Sequence, residues 1–201
     1  VIAGGEGDNF SANWRLYGRV TYGLGEHWGL QHVHHGMASH EYLTSGLRVE
    51  YRGRTNEVNL LYSLKENARV ALFVGANRVT NKLTFRDLGS LDGSHTYAQA
   101  GLVATTTLSD KVAAYGLAGF GGHGLFQGEL GLAYKVRDNW QANLGYRWFR
   151  IEDAFDEITL INCHPEKIEK ASGDIRVKGM TFGVTYFFGP ASKKEAPQSS
   201  E

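Results

Sequence analysis

The sequence predicts an all-β chain closed into an antiparallel transmembrane β-barrel of about ten strands, or of about eight as the alternative. Three observations carry this. Three alternating stretches have an aromatic residue at each end, Trp14 to Tyr22, Phe126 to Tyr134 and Trp140 to Trp148, with Leu16, Gly18 and Val20, then Gly128, Leu130 and Leu132, then Ala142, Leu144 and Tyr146 on the same faces. An eight-residue separation along a strand is about 27 Å, and a tilt of roughly 40° leaves a rise of roughly 20 Å, close to the apolar band of a membrane barrel. The opposite faces are polar: Asn13, Arg15, Arg19 and Thr21; Gln127, Glu129 and Lys135; Gln141, Asn143 and Arg147. Finally, the chain has 26 glycines against only 3 prolines, natural where strands bend and pair closely, and helical periodicity is hard to find.

The elements follow from alternation and turn chemistry. A first strand spans about Asn13 to Leu24, and the turn Gly25-Glu26-His27 leads to a second near Trp28 to Met37. A third, Gly46 to Arg52, puts Leu47, Val49 and Tyr51 on one face and Arg48, Glu50 and Arg52 on the other, and Gly53 to Asn56 reads as a turn. The fourth groups Val58, Leu60, Tyr62 and Leu64; Lys65 to Ala68 turns into a fifth from Arg69 to about Thr80. Asn81 to His95 reads as a longer polar connection to the sixth, Thr96 to Leu108. After Ser109-Asp110-Lys111 come the seventh, Val112 to Phe120, the glycine-rich Gly121 to Gly124, and the eighth, Leu125 to Val136. Arg137-Asp138-Asn139 turns into the ninth, Trp140 to Arg150. The long segment Ile151 to Ile175 then precedes the tenth, Val177 to Phe188, with Met180, Phe182, Val184, Tyr186 and Phe188 on one face. Short and long connections alternate in the second half, as in barrels with short turns at one rim and long loops at the other, and an even strand count places both ends of the barrel on the short-turn side. The expected organisation is a flexible lead-in over 1–9, the barrel over 10–188 and a disordered polar tail over 189–201.

Composition narrows the function classes. Zero formal net charge gives no electrostatic pull toward nucleic acid. The lone Cys163 cannot form an internal disulfide. No run of about 18 apolar residues is present, so no transmembrane helix is expected. The mean hydropathy of −0.33 looks soluble. That average does not discriminate for a barrel, because half of each strand faces inward and is polar.

Leu108-Ser109-Asp110-Lys111-Val112, Val136-Arg137-Asp138-Asn139-Trp140, Asn143-Leu144-Gly145-Tyr146-Arg147 and above all Gly179 to Phe188 resemble bacterial outer-membrane β-barrel proteins of the small, porin-like kind. The resemblance implies an outer-membrane location, the lipid bilayer as surroundings, and the outer-membrane assembly machinery as a partner that reads the terminal aromatic strand. The chain departs from the pattern in that Gly189 to Glu201 follows Phe188, whereas the aromatic commonly ends the chain.

The expected lumen charges are Arg15, Arg19, Arg48, Glu50, Arg52, Glu129, Lys135 and Arg147. They suit a salt-bridged plug, since unpaired buried charge is costly, or else a path for small solutes. Trp14, Tyr22, Phe126, Tyr134, Trp140, Trp148 and Phe188 are the expected membrane-interface aromatics. His32 and His34, two apart on a strand, share a face and are weak candidates for a metal, without the spacing of an established zinc motif. Ser39, His40 and Glu41 are adjacent, but neighbouring strand residues point to opposite faces, so they do not compose a triad. Cys163 beside His164, and the acidic residues Glu152, Asp153, Asp156 and Glu157, read as parts of a solvated loop. Phosphate-binding and nucleophile-elbow motifs are missing from the sequence; Gly119 to Gly124 joins two strands and does not open a helix. The expectation is a structural or porin-like barrel without catalysis or cofactor. The rivals are an outer-rim barrel hydrolase and a soluble ligand-binding barrel.

Overall fold

The computed structural model describes residues 16–38, 42–44, 47–64, 70–86, 89–152, 154, 157–160 and 174–188. Its elements are β1 Leu16–Gly23, β2 Trp28–Ala38, β3 Tyr42–Thr44, β4 Leu47–Ser63, β5 Val70–Phe85, β6 Gly89–Thr107, β7 Val112–Gly121, β8 Phe126–Arg137, β9 Trp140–Ile151, β10 Glu157–Leu160 and β11 Ile175–Phe188. No helix occurs among the described residues. The lead-in and tail expected from the sequence lie outside the described residues, as do Trp14, Arg15, Ser39, His40, Glu41 and Cys163.

The sheet closes on itself. Nine strands form the ring in the order β1, β2, β4, β5, β6, β7, β8, β9, β11, with β6 paired to β7 and β11 paired back to β1. The short β3 and β10 add to the ends of β4 and β6. Every neighbouring pair in the ring is antiparallel except β1 with β11, which run parallel from Leu16↔Phe182 to Tyr22↔Phe188. Parity explains the seam: when each strand reverses direction, an odd number forces the first and last to point the same way.

The barrel is therefore mixed and nine-stranded, not antiparallel with about ten. The extra strand was the supposed break at Gly53 to Asn56. Those residues lie inside the single 17-residue strand β4, with Gly53 paired to Met37 on one side and Asn81 on the other. Gly53 is there for space and not for a turn. A Cβ at that position would run into the Tyr51 hydroxyl and stand 3.1 Å from the Met37 side chain.

Asn81 to His95 is likewise mostly strand. β5 and β6 run through it as a hairpin whose pairing extends to Phe85↔Gly89. Its outward residues are polar and its inward ones, apart from Asn81 and His95, are apolar or glycine, which reads as a loop only when strands are expected to be greasy outside. With nine strands, the first starts at the long-connection rim and the last ends at the short-turn rim, so the two ends of the barrel are on opposite sides. Residues 24–27, 108–111 and 138–139 connect strands at the short-turn rim, where β4 also ends and β5 begins; the turn expected over Lys65 to Ala68 lies outside the described residues. At the other rim, β7 and β8 are joined through Gly122 to Leu125, with His123 at φ 53° and Gly124 at φ 63°. Two successive left-handed residues are what a two-residue hairpin of matching twist requires.

From the middle of the barrel to the short-turn rim, burial is inverted relative to a water-soluble barrel. Leu130, Val74 and Phe120 on the outer face are 60%, 57% and 61% exposed, while inward Glu57 and Glu129 are 2% and 1% exposed. Alternate residues on each strand divide the two environments.

Candidate functional site

The interior is built in layers. Toward the short-turn rim, Asn143 donates to the Thr185 hydroxyl at 2.8 Å and Gln31 to the Thr21 hydroxyl at 3.2 Å. Above them, the Arg19 guanidinium lies 5.6 Å from the centroid of the Tyr17 ring and 5.9 Å from that of Tyr115, stacked as a cation on two aromatic faces.

The next layer holds the charges. From β9, Arg147 reaches across the lumen to the Glu57 carboxylate of β4 at 2.7 Å, and its other terminal nitrogen lies 3.6 Å from Glu129 of β8. Arg147 also donates to the Gln127 side-chain oxygen. The Gln127 amide donates in turn to Glu57 at 3.1 Å and to Gln99 of β6 at 3.0 Å. The Gln99 amide serves Glu57 at 3.1 Å and Asn59 at 2.7 Å, while its oxygen accepts from Asn77 of β5 at 3.2 Å. The remaining Glu129 oxygen accepts from the Tyr115 hydroxyl at 2.5 Å and from the Thr181 hydroxyl of β11 at 3.5 Å. Strands β4, β5, β6, β7, β8, β9 and β11 are thus tied through the middle of the barrel by side chains. Two carboxylates against one guanidinium would be costly in a dry interior, and the amide and hydroxyl donors supply the rest of the stabilisation.

Beyond this layer, toward the long-connection rim, the interior turns apolar. Met37, Tyr51, Val79, Tyr97, Leu125, Phe149, Ile151, Ala154 and Ile175 form one cluster, with Leu83 and Val177 packed against it. Its polar atoms are few and mostly partnered: the Tyr51 hydroxyl donates to Asn81 at 2.8 Å, and Asn81 donates to the Ala154 carbonyl at 3.4 Å. Together the polar layer and the apolar cluster fill the lumen from its middle to one mouth.

The sequence-expected lumen charges divide accordingly. Arg19, Glu129 and Arg147 point inward and meet in these layers. Lys135 is on the inward face at the short-turn rim, half-exposed and 2.7 Å from Asp138. Glu50 and Arg52 are corrected: they point outward and pair with each other at 2.7 Å on the surface. The register of β4 decides this, because Tyr51, Gly53, Thr55 and Glu57 form its inward row and leave the alternate residues outside. Arg48 lies on β4 opposite Leu43, and its side chain is outside the described part. Glu57 is not among the lumen charges expected from the sequence, although it alternates with Val58 and Leu60, because a turn read at Gly53 to Asn56 hides the inward row it belongs to. Gln99 and Asn77 are uncharged members of inward rows, and their pairing across the lumen has no signature in the sequence.

On the outer face, Tyr22, Phe126, Tyr134, Trp140, Trp148 and Phe188 are all exposed. Several pair with other rings: Trp140 with Tyr186 at 4.8 Å, Tyr146 with Trp148 at 4.9 Å and Phe120 with Phe126 at 5.3 Å. His32 and His34 share this outer face, and the His34 Nδ1 is hydrogen bonded to the Asn56 side-chain oxygen at 2.7 Å. No group of three or more metal-binding side chains is found among the described residues. The arrangement offers a filled, cross-linked interior and an apolar exterior. Comparison with protein-family models, with curated proteins and with solved structures finds no match in any of the three.

Proposed function

We propose that this chain is a membrane-embedded β-barrel of the bacterial outer-membrane kind, acting as a structural element whose lumen is filled and not as an open pore. One observation carries the reading: the outer face bears Val20, Leu30, Leu60, Leu72, Leu102, Leu132, Leu144 and Phe182 around the ring, all exposed, while carboxylates and a guanidinium are buried inside. Water outside would leave this apolar belt unpaid for, whereas lipid outside suits it, and the closed ladder leaves no open edge in the hydrocarbon. Single exposed apolar residues are ordinary on a soluble surface; a belt contributed by nearly every strand is not.

Within that reading, the filled lumen favours a structural role over solute passage. A permeating ion would have to displace the Glu57–Arg147 contact and then pass the cluster around Phe149 and Val79. Electrophoresis in detergent, with and without boiling, tests the barrel, and planar-bilayer conductance tests the lumen. The expected result is a heat-dependent shift in mobility with no steady conductance. A steady conductance would return the porin-like reading, and purification from the soluble fraction without detergent would favour the ligand-binding barrel.

A further inference from the structure

The outward faces of β4 and β5 change character abruptly and in register. The cross-strand row His32, Val58, Ala76, Ala98 still belongs largely to the apolar belt, and the next row is His34, Asn56, Arg78, Thr96. The row after that is Gly36, Arg54, Thr80, Ser94. These two rows hold two arginines, a histidine, an amide and three hydroxyls, and no carboxylate. On β4 to β6 acids return only beyond them, where Glu50 pairs with Arg52 at 2.7 Å and Asp92 with Lys82 at 3.3 Å. Arg54 and Arg78 are exposed, sit on diagonal positions of adjacent strands, and have no ion-pair partner among the described residues. Diagonal neighbours are within reach of each other for side chains as long as arginine.

We infer that Arg54 and Arg78 form a clamp for the phosphate of an anionic lipid headgroup, in the leaflet on the long-connection side. The inference rests on the membrane reading above. The chemistry required is an amphiphile: acyl chains against Val58, Leu60 and Val74 of the belt, and a phosphate against the paired guanidiniums, whose planar donors match phosphate oxygens two at a time. Asn56, Thr80 and Thr96 stand beside the arginines as further donors. A neutral surface facing water alone has no reason to concentrate unpaired cations just above an apolar belt while pairing every cation one row further out.

The test is native mass spectrometry of the folded protein released from detergent micelles, titrated separately with phosphatidic acid, phosphatidylcholine and inorganic phosphate. Phosphatidic acid is expected to stay bound preferentially. R54Q/R78Q should weaken it roughly 30-fold, from about a fivefold factor for each cation near an anionic surface. A control pair at the opposite rim, K111Q/R137Q, should leave the binding within about twofold. Equal losses for both pairs would overturn the clamp in favour of unspecific attraction, and inorganic phosphate bound as tightly as the lipid would overturn the lipid as its occupant. Each variant is first shown to keep the heat-dependent mobility shift, so a folding failure is seen as such. Flotation with neutral phosphatidylcholine vesicles separates the two claims: failure to float contradicts the membrane reading itself, whereas flotation with no effect of R54Q/R78Q contradicts the clamp alone.

Discussion

Glu57, Glu129 and Arg147 occupy one layer of the barrel interior, and Val79, Phe149 and Ile151 occupy the next. Both layers bridge strands that are far apart in sequence, and both are fully buried, yet they obey different rules. The charged layer works as a unit, because each group is tolerable only while its partners are present. The apolar layer is graded, since each methyl contributes its own share of burial and packing. A barrel filled by both is held rigid in the middle by directional bonds and sealed at one mouth by shape.

The sharpest way to break this contrast is Arg147→Met, which strands two buried carboxylates. It should lower stability by about 3–5 kcal/mol, read from the urea midpoint of the heat-dependent mobility shift in micelles. Combining it with Glu57→Gln and Glu129→Gln should recover a large part of that loss, because no uncompensated charge remains. A triple variant as unstable as Arg147→Met alone would show that the layer is not governed by charge balance. In the apolar cluster, Ile151→Ala should cost about 2–5 kcal/mol without any such rescue by a second change.

Gly53→Ala probes the point where the long strand β4 passes the Tyr51 ring. The added methyl must push that ring aside, and about 1–3 kcal/mol is expected in the same unfolding measurement. Tyr51→Phe removes one buried hydrogen bond to Asn81 and should cost about 1 kcal/mol. At the small end, Glu50→Ala breaks an ion pair on the surface, where screening and side-chain entropy leave little to lose, so a change under about 0.5 kcal/mol is expected. A larger effect would place Glu50 in a network that its exposure does not suggest.

The parts of this fold legible from residues alone were those with unbroken period-two alternation. Phe126 to Tyr134, Trp140 to Trp148 and Met180 to Phe188 stand on β8, β9 and β11 with the faces that alternation assigns. Gly53-Arg54-Thr55-Asn56 reads as a turn in the sequence because turn chemistry and a tight interior glycine look alike in one dimension. What separates them is the Tyr51 ring two residues away, whose position depends on β2 and β5. A turn at that place would add a strand, put both ends of the barrel at one rim and turn Glu50 and Arg52 inward, whereas the continuous β4 keeps Glu50 and Arg52 outside. The Glu57 and Gln99 side chains were equally hidden, since their partners lie 90 and 28 residues away in Arg147 and Gln127. Charge balance across a lumen is a property of the closed ring.

Lipid against the outer face is what separates a membrane-embedded barrel from a soluble one. Trp28, Trp140 and Trp148 are all on that face, at 49%, 43% and 38% exposure, so tryptophan fluorescence reports on it directly. The decisive measurement compares emission of the protein reconstituted in ordinary phosphatidylcholine vesicles with emission in vesicles whose acyl chains carry bromine. Strong quenching by the brominated chains, with little quenching by iodide in the water, is the expected result. Emission unaffected by bromine and readily quenched by iodide would mean that water, and not lipid, meets the belt.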